Sequence, residues 1–231
     1  MTRAPLLLLP GMLSDDTLWQ AQIEALADVA DITVGDLSGS SSIGGMASQV
    51  LARAPERFAL AGLSLGGLVA LEIMRKAPNR VSRLCLLDCQ APPESPEARE
   101  KRMGAIAAVR QGNFVHVLSN IIGQLLHPNN RVGPLADQVL DMGVRAGPEQ
   151  LLDQLNAAME RPDSRPTLPT INVPSLVICG AQDIMTPPSL AREIAEGIAN
   201  ARLEIIENAA HLPPMERPDA VNAAMRQWLD A

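Results

Sequence analysis

The sequence predicts an α/β fold: a mostly parallel sheet of about six strands, helices on both faces, and an all-helical insertion after the fourth strand. Two observations predict it. Short, continuously apolar runs alternate with amphipathic segments, the pattern of strands buried on both faces between crossover helices. The alternation then stops over residues 94–166, where no strand-like run occurs, and resumes at 175.

Taken in order, PLLLLP (5–10) reads as the first strand and DDTLWQAQIEALADVA (15–30) as a helix with acidic residues at its start. DITVGDL (31–37) is the second strand, followed by a helix over 43–54. RFALAGL (57–63) is the third, followed by a helix over 65–77, and RLCLLDC (83–89) is the fourth. SLVICG (175–180), a helix over 188–199, ARLEIIE (201–207) and a helix over 217–231 close the pattern. Four helices are expected in the interruption, at about 96–111, 113–127, 134–145 and 148–160, punctuated by Gly112, Pro128, Gly133, Gly147 and Pro148. Residues 1–93 and 167–231 are therefore expected to form one core, with 94–166 as a cap inserted into it rather than an independent domain.

Composition narrows the function. A chain of 231 residues suits one domain with a sizeable core. Aromatic residues are only 2% and tyrosine is absent, so the core must be aliphatic and no tyrosine acid, base or nucleophile is available. The net charge of -7 argues against nucleic acid, whose phosphates call for clustered Lys and Arg. The opening MTRAPLLLLPGM has four consecutive leucines before Pro-Gly, too few for a signal segment or a membrane span. Cys85, Cys89 and Cys179 are an odd number without framework spacing; Cys85 and Cys179 sit in apolar strand-like runs and read as buried thiols, and a reducing cytoplasm is the simplest setting. No metal-ligand spacing, phosphate loop or dinucleotide fingerprint occurs, so neither a metal nor a cofactor is expected.

Gly62-Leu63-Ser64-Leu65-Gly66 fits G-x-S-x-G. The pentapeptide alone is weak, because three residue types at ordinary abundance match by chance in about one in twelve chains of this length. Its setting strengthens it: an apolar strand precedes it and an apolar helix follows, which would project the serine hydroxyl from a sharp turn. A serine needs a base to take its proton. His116 and His127 fall within the expected insertion helices and read as packing or surface residues. His211 follows the sixth strand, at the same end of the sheet as Ser64. A carboxylate must in turn orient the base. Asp183, in the loop after the fifth strand, is favoured over its rival Asp88 at the end of the fourth, because its strand directly precedes the one that delivers His211.

The order Ser64, Asp183, His211 resembles the α/β-hydrolase fold family over essentially the whole chain. LLLLPGMLSDDTLW is similar to that family's oxyanion loop, GLSLGG to its nucleophile elbow, LVICGAQDIMTPP to its acid loop and ENAAHLPPMERP to its histidine loop. The resemblance implies a serine esterase with a helical cap: Ser64 as nucleophile, His211 as general base and acid, Asp183 as orienting carboxylate, and the backbone N–H groups of Met12 and Leu65 as oxyanion donors. Two departures stand out. Pro10 precedes Gly11 where many members carry histidine, and Ala210 stands where glycine usually precedes the histidine.

The expected substrate is a small-molecule carboxylic ester cleaved through an acyl-serine intermediate. Leu13, Met185, Leu212 and Met215 are the expected pocket residues, and Trp19 the expected core residue beneath. No Arg or Lys in the core loops stands out as an anchor for a charged substrate, which favours neutral esters. The same three residues could instead serve acyl transfer, perhydrolysis, or thioester or C–C bond hydrolysis. A ligand-binding module without catalysis is the third reading.

Overall fold

The computed structural model describes residues 3–230, so Ala231, the last residue of the expected closing helix, lies outside the described residues. Six strands form one sheet: β1 (Ala4–Leu9), β2 (Ala30–Val34), β3 (Phe58–Leu63), β4 (Val81–Leu87), β5 (Ser175–Gly180) and β6 (Arg202–Ile206). Their order is β2-β1-β3-β4-β5-β6, and every neighbouring pair is parallel. Alternate side chains feed two cores, as the twofold period of a strand requires. Leu6 and Leu8 of β1 pack with Leu26 of α1 (Gln20–Leu26) and with Val221 and Trp228 of the last helix, α8 (Pro218–Asp230). Leu7 and Leu9 face the opposite side, with Met46 of α2 (Ile43–Arg53), Val69 of α3 (Leu65–Lys76) and Ile194 of α7 (Pro188–Gly197). Each such fully buried aliphatic side chain contributes about 1.5–3 kcal/mol.

Residues between β4 and β5 fold as α4 (Pro96–Arg110), α5 (Phe114–Leu125) and α6 (Pro134–Met159). The two helices expected over 134–145 and 148–160 meet as the two arms of α6, kinked at Gly147 (φ 79°) just before Pro148. Helix α5 stops at Leu125, so His127 lies outside it; preceding Pro128, it takes an extended ψ of 142°. The helix expected over 15–30 is a 3-10 turn (Asp16–Trp19) followed by α1, because Asp15 caps the turn at Thr17 and Trp19 is fully buried there. That burial places Trp19 in the core.

The fold gathers one end of the sheet. Met12 follows β1, Ser64 β3, Asp88 β4, Asp183 β5 and His211 β6, all beyond the carboxyl ends of parallel strands. Strand β1 lies between β2 and β3, so successive connections leave it in opposite directions and open a crevice above β1 and β3.

Candidate active site

Ser64 joins β3 to α3 with φ 53° and ψ −112°, a conformation an L residue holds only under strain. The surroundings enforce it. A Cβ on Gly66 would lie 2.3 Å from the Leu9 carbonyl oxygen, and one on Gly62 would lie 2.3 Å from that of Gly66. Only glycines let β1, β3 and α3 approach this closely. Serine at a helix start usually accepts an N–H of the first turn. Here its side chain makes no cap bond, and the hydroxyl turns instead toward His211, whose Nε2 lies 2.9 Å from Ser64 Oγ.

His211 Nδ1 lies 2.8 Å from Asp183 Oδ2, so the imidazole bridges the other two side chains. Asp183 is buried and takes three further hydrogen bonds: from Met185 N at 2.8 Å, Thr186 N at 3.2 Å and Thr186 Oγ1 at 2.6 Å. Burial pushes its carboxyl up, but the neighbouring His211 and these donors outweigh that and hold it below the usual range. Asp183 is thus the ionised partner. Asp88 is its opposite. It is fully buried, Oδ1 accepts from Gly180 N at 2.8 Å, and Oδ2 has no partner among the described residues. Burial first, and then the Asp183 charge beside it, raise its carboxyl well above the ordinary value and favour the neutral acid. Asp88, Asp183 and His211 each place a donor atom within 4.8 Å of the others, a set a cation could use. Asp183 and His211 already engage one another there, however, which leaves Asp88 as the uncommitted donor.

The loops are held by bonds that motif reading does not supply. Ala210 N donates to Glu216 Oε1 at 2.7 Å, and Glu216 Oε2 accepts from His127 N at 2.7 Å and Asn130 Nδ2 at 2.9 Å. His211 N donates to the Leu125 carbonyl at the end of α5. On the other side, Leu13 N donates to Oε1 of buried Gln154 of α6 at 2.8 Å, while Leu13 itself holds φ 57°. Met12 and Leu65 N–H groups donate to no acceptor among the described residues, and both residues border the cavity at Ser64. Two of these supports lie within stretches the sequence singles out: Glu216 in ENAAHLPPMERP, and Asp183-x-x-Thr186, a spacing at which a threonine folds back on an aspartate.

That cavity encloses about 30 Å³. Besides Ser64, Met12 and Leu65, its walls include Gln90, Arg102 and Thr186. None of the four expected pocket residues borders it. Leu13, turned by its left-handed backbone, lines a neighbouring apolar cleft with Leu118 and Ile122 of α5. Leu212 is buried in the core, Met215 faces a groove along α1, and Met185 is partly exposed. The residues that border the cavity come instead from the ends of β1, β3, β4 and β5 and from α3, α4 and α6. The three cysteines are free and buried; burial pushes the Cys89 thiol up to about 12 and raises Cys85 and Cys179 likewise, which favours the unreactive thiol form.

Residues 6–224 match the alpha/beta hydrolase family. The chain belongs to that family. It is 32% identical to the pimeloyl-(acyl-carrier protein) methyl ester esterase of Pectobacterium carotovorum, over 93% of this chain and 90% of that protein. The enzyme of the same name from Neisseria meningitidis serogroup B is 31% identical, over 80% of this chain and 72% of its own. Among solved structures, a thermophilic esterase from Thermogutta terrifontis superposes with a TM-score of 0.90 at 33% identity, covering 99% of this chain and 90% of that one. This α/β hydrolase has no helix, among the described residues, long and apolar enough to cross a membrane.

Proposed function

We propose that this α/β hydrolase cleaves carboxylic esters through an acyl-Ser64 intermediate. The observation that carries the reading is the continuous chain Ser64 Oγ–His211 Nε2–Asp183 Oδ2, at 2.9 and 2.8 Å, beginning at a strained serine. The esterase names of relatives 31–33% identical to this chain support the same reaction class.

Each step follows from the groups present. His211, carrying its proton on Nδ1 toward Asp183, accepts the Ser64 proton at Nε2 as Oγ attacks the ester carbonyl. Ionised Asp183 stabilises the resulting imidazolium. The new oxyanion settles between the Met12 and Leu65 N–H groups, each donor contributing about 3–4 kcal/mol to the transition state. The start of α3 adds its positive dipole end. His211 then returns the proton to the departing alkoxide, and the alcohol leaves. Water repeats the sequence, with His211 again as base, and releases the acid and Ser64. The cap, residues 94–166, closes over this end of the sheet, and the cavity beside Ser64 suits a short acyl chain. The two methyl ester esterase relatives support a methyl ester as the group cleaved.

A fluorophosphonate tests the reading directly. It should label Ser64, and Ser64→Ala should lose both labelling and ester turnover. Turnover that persists in folded Ser64→Ala sinks the proposal.

A further inference from the structure

The cavity beside Ser64 has one cationic wall. Arg102 of α4 borders it with its side chain 23% exposed. Arg102 Nε donates to Glu94 Oε2, and the same oxygen accepts from Arg161 Nη1 at 2.9 Å. Glu94 and Arg161 side chains are only 4% and 3% exposed. Arg161 is anchored further, through Nε to the Pro92 carbonyl at 3.0 Å and through Nη1 to that of Ala158 at 2.9 Å. One carboxylate therefore serves two guanidiniums, and the cluster keeps one positive charge. That charge borders the cavity, and the terminal nitrogens Nη1 and Nη2 of Arg102 donate to no acceptor among the described residues. The other carboxyls nearby do not neutralise it. Asp183 is engaged by His211, Thr186 and two backbone N–H groups, and Asp88 points Oδ1 at Gly180 N.

A guanidinium fixed at Nε presents its two outer nitrogens as a planar fork, a match for two carboxylate oxygens. On a chain of net charge -7, an unneutralised arginine bordering the cavity at Ser64 is a local exception to the prevailing charge. We infer that Arg102 is the binding residue for a free carboxylate on the acyl part of the substrate, so that the preferred esters are half-esters of short dicarboxylic acids. Glu94 and Arg161 are the positioning residues that hold the fork in place. The inference departs from the expectation of neutral esters, because the cation comes from the helical insertion and not from the core loops that deliver Ser64, Asp183 and His211. It rests on the Ser64 ester chemistry proposed above for turnover, but not for binding.

The two can be tested apart. Monomethyl glutarate is compared with methyl valerate, its uncharged counterpart, and with methyl 4-phosphonobutyrate, which distinguishes a carboxylate from a phosphonate at the same distance. The half-ester should be favoured in kcat/KM over methyl valerate by about 10- to 100-fold, the range for hydrogen bonds to a charged partner. Arg102→Gln should collapse that ratio toward one, and Arg102→Lys, a point charge without the fork, should restore only part of it. In parallel, calorimetric binding of glutarate to wild type should be lost in Arg102→Gln, a readout that needs no turnover. Equal kcat/KM for half-ester and neutral ester in the wild type, or glutarate binding undiminished in Arg102→Gln, overturns the inference. A preference for the phosphonate over the half-ester also overturns it. If glutarate binds through Arg102 but no ester is turned over, the carboxylate site stands and the esterase reading fails. Wild-type selectivity is measured without mutation, so a misfolded variant does not shelter the inference.

Discussion

Replacing Ser64 by glycine should make the protein more stable than replacing it by alanine, although both variants should be inactive under the proposed chemistry. Both lose the hydroxyl and its 2.9 Å bond to His211, so that loss cancels in the comparison. What differs is the backbone. Alanine keeps a Cβ at φ 53°, ψ −112°, and with it the strain, which costs on the order of 1–3 kcal/mol at such a residue. Glycine relieves it but adds roughly 0.4–1 kcal/mol of unfolded-state entropy. The remainder favours glycine by about 1 kcal/mol, or roughly 3 °C in melting temperature for a chain of this size. Calorimetry and urea denaturation of the two variants measure the difference, with absence of fluorophosphonate labelling as the control. A glycine variant that melts at or below the alanine variant refutes the claim that strain at the elbow is held by the surrounding structure.

Three further outcomes are expected. Asp88 titrates from about 3.9 in the unfolded chain to well above its ordinary value in the fold, so its contribution is present below about pH 4 and is lost as pH rises toward the folded value. Asp88→Asn keeps an acceptor for Gly180 N without that titration. Its stability relative to wild type should climb by about 1.4 kcal/mol per pH unit within the window; parallel wild-type and variant curves in urea from pH 4.5 to 7.5 would refute this. Asp183→Asn removes the charge that supports the imidazolium and favours the wrong tautomer, so kcat should fall by about 10³–10⁴, with KM little changed, in steady-state assays of an ester substrate. Gln154→Leu leaves the buried Leu13 N–H without its acceptor, which should cost about 1–3 kcal/mol in urea denaturation. Because Met12 is the preceding residue, kcat should also drop, by as much as about 10² for a displacement near 1 Å.

How much the sequence disclosed depended on range. Strands such as SLVICG, bounded identically in the structure at Ser175–Gly180, are legible because a strand buried on both faces must be continuously apolar. The meeting of Ser64, Asp183 and His211 is legible for a related reason: each follows a parallel strand, and parallel strands deliver their loops to one end. The neighbouring wall is not. Arg102 sits in a polar helix, PEAREKRMGAIAAVR, where one arginine looks like the next until the fold brings Arg102 to the cavity bordered by Ser64 and Asp88. Leu13 and Met215 misled for the opposite reason. Nearness in the chain to a site residue says nothing of side-chain direction, which for Leu13 is set by a left-handed φ. Glu216 reads as part of a motif, but its bonds to His127 and Asn130 join residues 86 or more positions apart.

Those last bonds carry a consequence for how the family diversifies. The segment bearing His211 is tied to the insertion through Leu125, His127 and Asn130, while Gln154 ties the insertion to the loop after β1. The insertion is therefore a brace for both sides of the reacting centre, and exchanging it for another helical segment alters timing and geometry along with selectivity. A chimaera that imports a new insertion but retains residues 125–130 and an acceptor at 154 inherits the alignment of this enzyme. One that replaces them must evolve its alignment again, even with every core residue intact.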